Sequence, residues 1–181
     1  MYNRHAFQYN YAGPLLTGGF NPDDGVFLGA GTRIVRQGFR KEPYASLHLF
    51  RAKHALQSSA FSFELKNRFT EKVGSLDLRL DLSVLAPNFK ANYFGLGNET
   101  EQLNNSRSFY RFRMDQVRVQ ALLVKRLSSI SEWTFGPEYA FYSPSKTPGR
   151  FVSSEGSGLE DEDFKAHHYG VFSSSLLIDG T

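Results

Sequence analysis

No cysteine occurs in the 181-residue chain, which excludes a disulfide framework, a zinc–thiolate site and a cysteine nucleophile. Long apolar runs are missing too. Nothing approaches the roughly 18 consecutive apolar residues of a membrane-spanning helix. A secretory leader is not visible, because Met1 is followed by Tyr2, Asn3, Arg4 and His5 with no apolar stretch behind them. Basic tracts are absent: 21 Lys and Arg against 18 Asp and Glu give a net charge of only +3. These charges are spread along the chain without the clustering of a polyanion footprint, so no nucleic-acid partner is expected. Nucleophile elbow, phosphate loop and metalloprotease helix are all lacking. No catalytic residue, metal site or cofactor is therefore expected, and the chain is read as a protein without enzymatic activity. Tryptophan appears once, yet there are 17 Phe and 9 Tyr, and aromatics of this kind favour strands.

What is present is alternation. Leu76, Leu78, Leu80, Leu82 and Val84 alternate with Asp77, Arg79, Asp81 and Ser83. A helix would scatter these aliphatic residues around its circumference, whereas a strand collects them on one face. The preceding segment repeats the arrangement, with Phe61, Phe63, Leu65 and Phe69 against Ser62, Glu64, Lys66, Arg68 and Thr70. Val26, Leu28, Ala30, Thr32 and Ile34 alternate with Phe27, Gly29, Gly31, Arg33 and Val35, and Ala45, Leu47 and Leu49 open a further strand. Residues 108–127 read as one long strand whose phase slips between Met114 and Val117, which a β-bulge near Asp115 and Gln116 would explain. Trp133, Phe135, Tyr139 and Phe141 mark another strand, residues 168–178 a last one, and residues 6–11 a first strand or its approach. The expectation is some seven to nine hairpin-connected strands with almost no helix.

Short connections are expected at 40–43, 71–74 and 128–131, and long loops at about 87–107 and 143–166. If Lys66 lies opposite Asp77 and Glu64 opposite Arg79, opposite charges meet on one face while Leu65 meets Leu78 on the other. Such cross-strand pairs contribute about 0.2–1 kcal/mol each. Glu64, Lys66, Arg68, Asp77, Arg79 and Asp81, continued by Arg111, Arg113 and Asp115, form the expected lumen-facing charge ladder. Phe61, Phe63, Leu65, Leu76, Leu78, Leu80, Leu82 and Val84 form the expected lipid-facing row.

Weaker signals reduce to ordinary structure. Glu160, Asp161, Glu162 and Asp163 lack the ligand alternation of a calcium loop and read as a solvated acidic loop. His167 and His168 are adjacent, so on a strand they point to opposite faces and cannot chelate together; His5, His48 and His54 stand alone. The triplets at 98–100 and 104–106 match glycosylation sequons, which arise readily by chance. Asn21-Pro22-Asp23-Asp24-Gly25 is a turn, with Pro fixing one dihedral and Gly permitting positive φ.

Several stretches together resemble a known family: residues 20–31, then Gly38-Phe39-Arg40-Lys41-Glu42-Pro43-Tyr44, then 92–100 with Phe-Gly-Leu-Gly-Asn at its centre, then Phe109-Tyr110-Arg111-Phe112-Arg113. The texture is similar to the barrel of the bacterial surface antigen superfamily, which includes BamA-type outer-membrane assembly factors, in the Bacteroidetes-type variant often fused to a calcineurin-like phosphoesterase. The resemblance implies an all-β, antiparallel up-and-down transmembrane β-barrel, with residues 1–181 forming a segment of a larger one. It also implies a bacterial outer-membrane location and a part in outer-membrane protein assembly or translocation. The partners it implies are membrane lipid and the remaining strands of a larger barrel or another copy. The rival expectation is a soluble β-barrel or sandwich binding a small apolar ligand. The two readings put the leucine row on opposite sides of the sheet.

Overall fold

In the computed structural model, which describes residues 8–96 and 106–179, the alternating segments become strands. They are β1 (Tyr11–Asn21), β2 (Gly25–Gly38), β3 (Lys41–Ala55), β4 (Phe61–Val73), β5 (Leu76–Leu85), β6 (Lys90–Asn92), β7 (Arg111–Arg126), β8 (Ser131–Ser145) and β9 (His167–Ile178). All nine belong to one antiparallel sheet in the order β1-β2-β3-β4-β5-β7-β8-β9, with β6 beside β7. β1 begins later than the sequence suggested and runs through Pro14, Gly18 and Gly19. Proline and glycine are tolerated there because β1 lies at the edge, where one row of backbone N–H groups has no ladder to join.

The expected transmembrane barrel is corrected by this topology. Closure requires the first and last strands to pair, but among the described residues β1 pairs with β2 alone and β9 with β8 alone. The sheet is open, with an edge at each end. Alternation of two chemically different faces is common to open and closed sheets, and it does not determine whether the edges meet. The surface antigen resemblance implied a barrel, so with an open sheet in its place that assignment is withdrawn, and with it the outer-membrane location, the assembly role, and lipid or completing strands as partners. Among the described residues no helix is long and apolar enough to cross a membrane.

Open does not mean planar. Arg126 at the end of β7 donates to the carbonyl of Glu42 near the start of β3 (3.2 Å), reaching past β4 and β5. At the other end Arg111 of β7 meets Asp23 in the β1–β2 turn at 2.5 Å. A side chain spans these strands only if the sheet curls toward the face that carries it, as twisted sheets do.

The β4–β5 hairpin turns at Gly74 and Ser75, where Gly74 has φ of +59°. A bulge over residues 70–72 precedes the turn, and Glu71 N–H donates to Asp77 Oδ1 (2.8 Å). Lys66 therefore lies opposite Asp81 and Glu64 opposite Ser83, a slide of four residues from the expected partners. The slide is even, so every side chain keeps its face. The bulge expected within β7 is not there. β7 and β8 keep one register from Arg113↔Ser145 to Arg126↔Glu132, and the irregularity sits on the opposite side, where β5 ends at Leu85 and β6 starts at Lys90.

The buried aromatics gather at one end of the sheet. Tyr93, Phe109, Tyr110 and Phe151 form a ring cluster with centroids 5.3–5.9 Å apart. Tyr110 and Phe151 are buried, and Tyr93 donates its hydroxyl to Ser157 O (2.8 Å). Phe151 falls in the second segment expected as a long loop and Tyr93 in the first, whereas Phe109 and Tyr110 belong to the stretch expected as a long strand.

Candidate functional site

Register places the residues of the expected ladder and row. Phe61, Phe63 and Leu65 share a face with Leu78, Leu80, Leu82 and Val84, since Phe63 pairs with Val84 and Leu65 with Leu82. The row continues through Val117, Val119, Ala121 and Leu123 of β7. This face has no second layer over it among the described residues, and Phe61, Phe63, Leu80 and Val119 are all exposed. It is not wholly apolar. His48 Nδ1 lies 2.7 Å from Asn67 Oδ1 and its Nε2 lies 3.0 Å from Ser46 Oγ, and Asn67 pairs with Leu80. His48 therefore belongs to a polar cluster within the aliphatic row and does not stand alone. Each of these residues taken singly gave no sign of the others.

The opposite face is a network of ion pairs. Arg51 donates to Glu64 (Nε–Oε2 2.9 Å), and Lys66 reaches the other oxygen of Glu64 at 2.6 Å. Arg68 clamps Asp81 with both terminal nitrogens, Nη2 at 2.9 Å. Arg79 holds Glu132 at 3.0 Å across β7, and Arg126 holds Asp77 at 2.8 Å. Burial works to raise the Glu64 carboxyl, but hydrogen bonds and charge from Lys66 and Arg51 outweigh it and hold the group below its ordinary range. The hydroxyl of Tyr142 raises the pKa of the Arg118 guanidinium, with Glu138 adding to it. Apolar side chains interrupt this face: Leu47 lies opposite Arg68, Leu49 opposite Lys66, and Val124, 1% exposed, opposite Asp77. Arg111 and Arg113 fall beyond the end of β5, opposite β6, so they and Asp115 do not join the ladder of β4 and β5.

The acidic run makes a short turn in which Asp161 pairs with Lys146 (2.5 Å) and Glu162 with Lys165 (2.7 Å). No group of three or more metal-ligating side chains converges among the described residues. The first sequon lies outside the described residues, as do His5 and the first two positions of the second sequon.

A cavity of about 190 Å³ opens where the β1–β2 turn, the β3–β4 connection and the break between β5 and β6 come together. Phe27, Ala55, Ala60, Phe61, Leu85 and Phe89 give it apolar walls, and Asn21, Asp24, Lys53 and Ser62 supply polar atoms. Asp24 is 7% exposed. Its Oδ2 accepts a hydrogen bond from Asn21 Nδ2 (3.3 Å), while Oδ1 is buried with no partner. The Lys53 ammonium sits over the Phe27 ring, 5.5 Å from its centroid.

No protein-family model, curated protein or solved structure matches this chain.

The site was therefore not legible from kinship, and sequence reasoning missed it. Asp24 was read only as part of a turn. Its burial depends on residues 55–62 and 85–89 arriving at the same place, which no local pattern encodes.

Proposed function

We propose that this chain is a binding protein without chemistry of its own, and that the cavity beside Asp24 takes a small, largely apolar molecule carrying one hydrogen-bond donor. The observation that supports this most directly is that Asp24, one oxygen of which has no hydrogen-bond partner, lines a cavity with otherwise largely apolar walls. A buried acceptor left without a donor costs about 1–3 kcal/mol, so a ligand hydroxyl or amine that the Asp24 carboxylate turns to meet recovers that cost while its ring or alkyl part covers Phe27, Phe61 and Phe89. Sites of this kind pair apolar walls with a few placed polar groups. The volume suits a ligand about the size of one substituted ring, since a cavity of about 150 Å³ accepts benzene. Binding is favoured over catalysis because the carboxylate is hydrogen-bonded to an amide alone, with no histidine, second carboxylate or nucleophile joined to it.

Titration with benzylamine, benzyl alcohol and toluene, followed by fluorine or proton NMR, tests the reading. The donors should bind at least tenfold more tightly than toluene, the equivalent of about 1.4 kcal/mol. Ala60→Leu should abolish binding by filling the space. Equal binding of all three compounds, or no binding of any, would refute the proposal.

A further inference from the structure

A second and larger cavity, about 450 Å³, lies at the same end of the sheet between the start of β7, the end of β8 and the segment that follows β8. Its lining includes five cationic side chains, Lys90, Arg111, Arg113, Lys146 and Arg150, against one carboxylate, Asp115. Like charges gathered around a small space repel one another, and such an arrangement is relieved by an anion between them. We propose that this cavity binds a phosphate monoester of about sugar size, independently of the apolar cavity beside Asp24.

The existing partners of these cations show how much capacity is left. Arg111 meets Asp23 at 2.5 Å and donates to Pro22 O at 3.1 Å, both through Nη2, which leaves Nη1 uncommitted. Lys90 donates to Asp23 O at 2.9 Å. Arg150 donates to Ser108 O, and Lys146 to Asp161 at 2.5 Å. The side chain of Arg113, opposite Lys90 in the β6–β7 ladder, makes no hydrogen bond or ion pair with any described residue. Spare guanidinium N–H groups on Arg111 and Arg113 match the oxygens of a phosphate, which accept paired bonds from such forks. A carboxylate carries less charge and fewer acceptor oxygens. The space exceeds that of a bare phosphate, leaving room for the alcohol portion.

Calorimetric titration of the whole chain with ribose 5-phosphate, ribose, inorganic phosphate and citrate tests this. Ribose 5-phosphate should bind, with affinity falling as salt is added, and ribose should not. Inorganic phosphate should compete more weakly than the ester. Arg113→Gln, which removes a side chain without structural partners, should leave the circular dichroism spectrum unchanged and weaken the ester about tenfold or more. No binding at millimolar ester, an Arg113→Gln protein that binds as the parent does, or citrate binding as tightly as the ester would each overturn the proposal.

Discussion

Replacing Asp81 with Asn tests whether the ionic face holds the sheet together or merely decorates it. Asp81 accepts from both terminal nitrogens of Arg68, and both partners are about one-fifth exposed, at 22% and 23%. Hydrogen bonds to a charged group contribute about 1.5–3 kcal/mol when sheltered, and partial solvent screening reduces that to about 1–2 kcal/mol here. A second term adds to it. Arg68 lies directly opposite Arg79 in the ladder, so removing the carboxylate leaves two guanidinium groups facing each other at a further cost of about 0.2–1 kcal/mol. The expected total is about 1.5–2.5 kcal/mol, or a urea midpoint lower by about 1 M for a slope near 2 kcal/mol/M. Unfolding can be followed by the fluorescence of Trp133, the single tryptophan, whose indole donates to Ser174 Oγ across β8 and β9 (2.9 Å). Arg68→Gln and the double variant complete a cycle. The double variant should recover part of the loss, because it also removes the facing like charge. A coupling below about 0.3 kcal/mol, or a stabilised Asp81→Asn protein, would refute the reasoning.

Other outcomes follow from the same geometry. Gly136→Ala should destabilise by about 1–3 kcal/mol in the same urea assay, because a Cβ there would lie 2.1 Å from the Ala121 carbonyl oxygen and 3.0 Å from Leu122 Cα. An unchanged midpoint would show that β7 and β8 do not approach so closely. Glu64 is held below its ordinary value of 4.5 in the folded chain, so its contribution is complete above that pH and disappears as pH falls through the lowered folded value. The midpoint difference between the parent and Glu64→Gln should therefore be constant near neutrality and shrink in acid. A difference that grows in acid contradicts the assigned ion pairs with Arg51 and Lys66. Asn67→Leu should destabilise despite adding an apolar side chain to an apolar row, by leaving His48 Nδ1 without its partner. A more stable Asn67→Leu protein would show the cluster to be dispensable.

Alternation was the legible part of this fold because it is local. Leu76, Leu78, Leu80 and Leu82 declare one face of β5 within seven residues, and no distant information is needed to read it. Register was not legible in the same way. Pairing opposite charges directly put the β4–β5 turn at Glu71 and Lys72, while the chain turns at Gly74 and Ser75 after a bulge. The rule failed because arginine is long: Arg68 reaches Asp81, two residues from its directly opposed partner Arg79, and Arg79 reaches Glu132 across a whole strand. Long side chains satisfy charge diagonally, so charge sequence constrains the network and leaves the register free by even steps. Closure was illegible for a different reason. Whether β1 meets β9 depends on curl summed over every strand between them, and each strand's own pattern is the same either way.

The two faces place different demands on the surroundings, and this bears on where binding occurs. The ionic face meets its own needs: Arg51, Arg68, Arg79 and Arg126 each have a carboxylate from the same sheet, so a ligand arriving there would have to break existing pairs before making new ones. On the aliphatic face the polar groups pair with one another, at His48, at Tyr139 with His168 and at Trp133 with Ser174, and the rest offers breadth without enclosure among the described residues, as at Leu16, 87% exposed. Selectivity needs both enclosure and an unmet polar demand. Those coincide where connections fold over the strand ends, beside Asp24 and beside the spare nitrogens of Arg111 and Arg113. In the proposed reading the strands provide a curled platform, and recognition falls to the segments that join them.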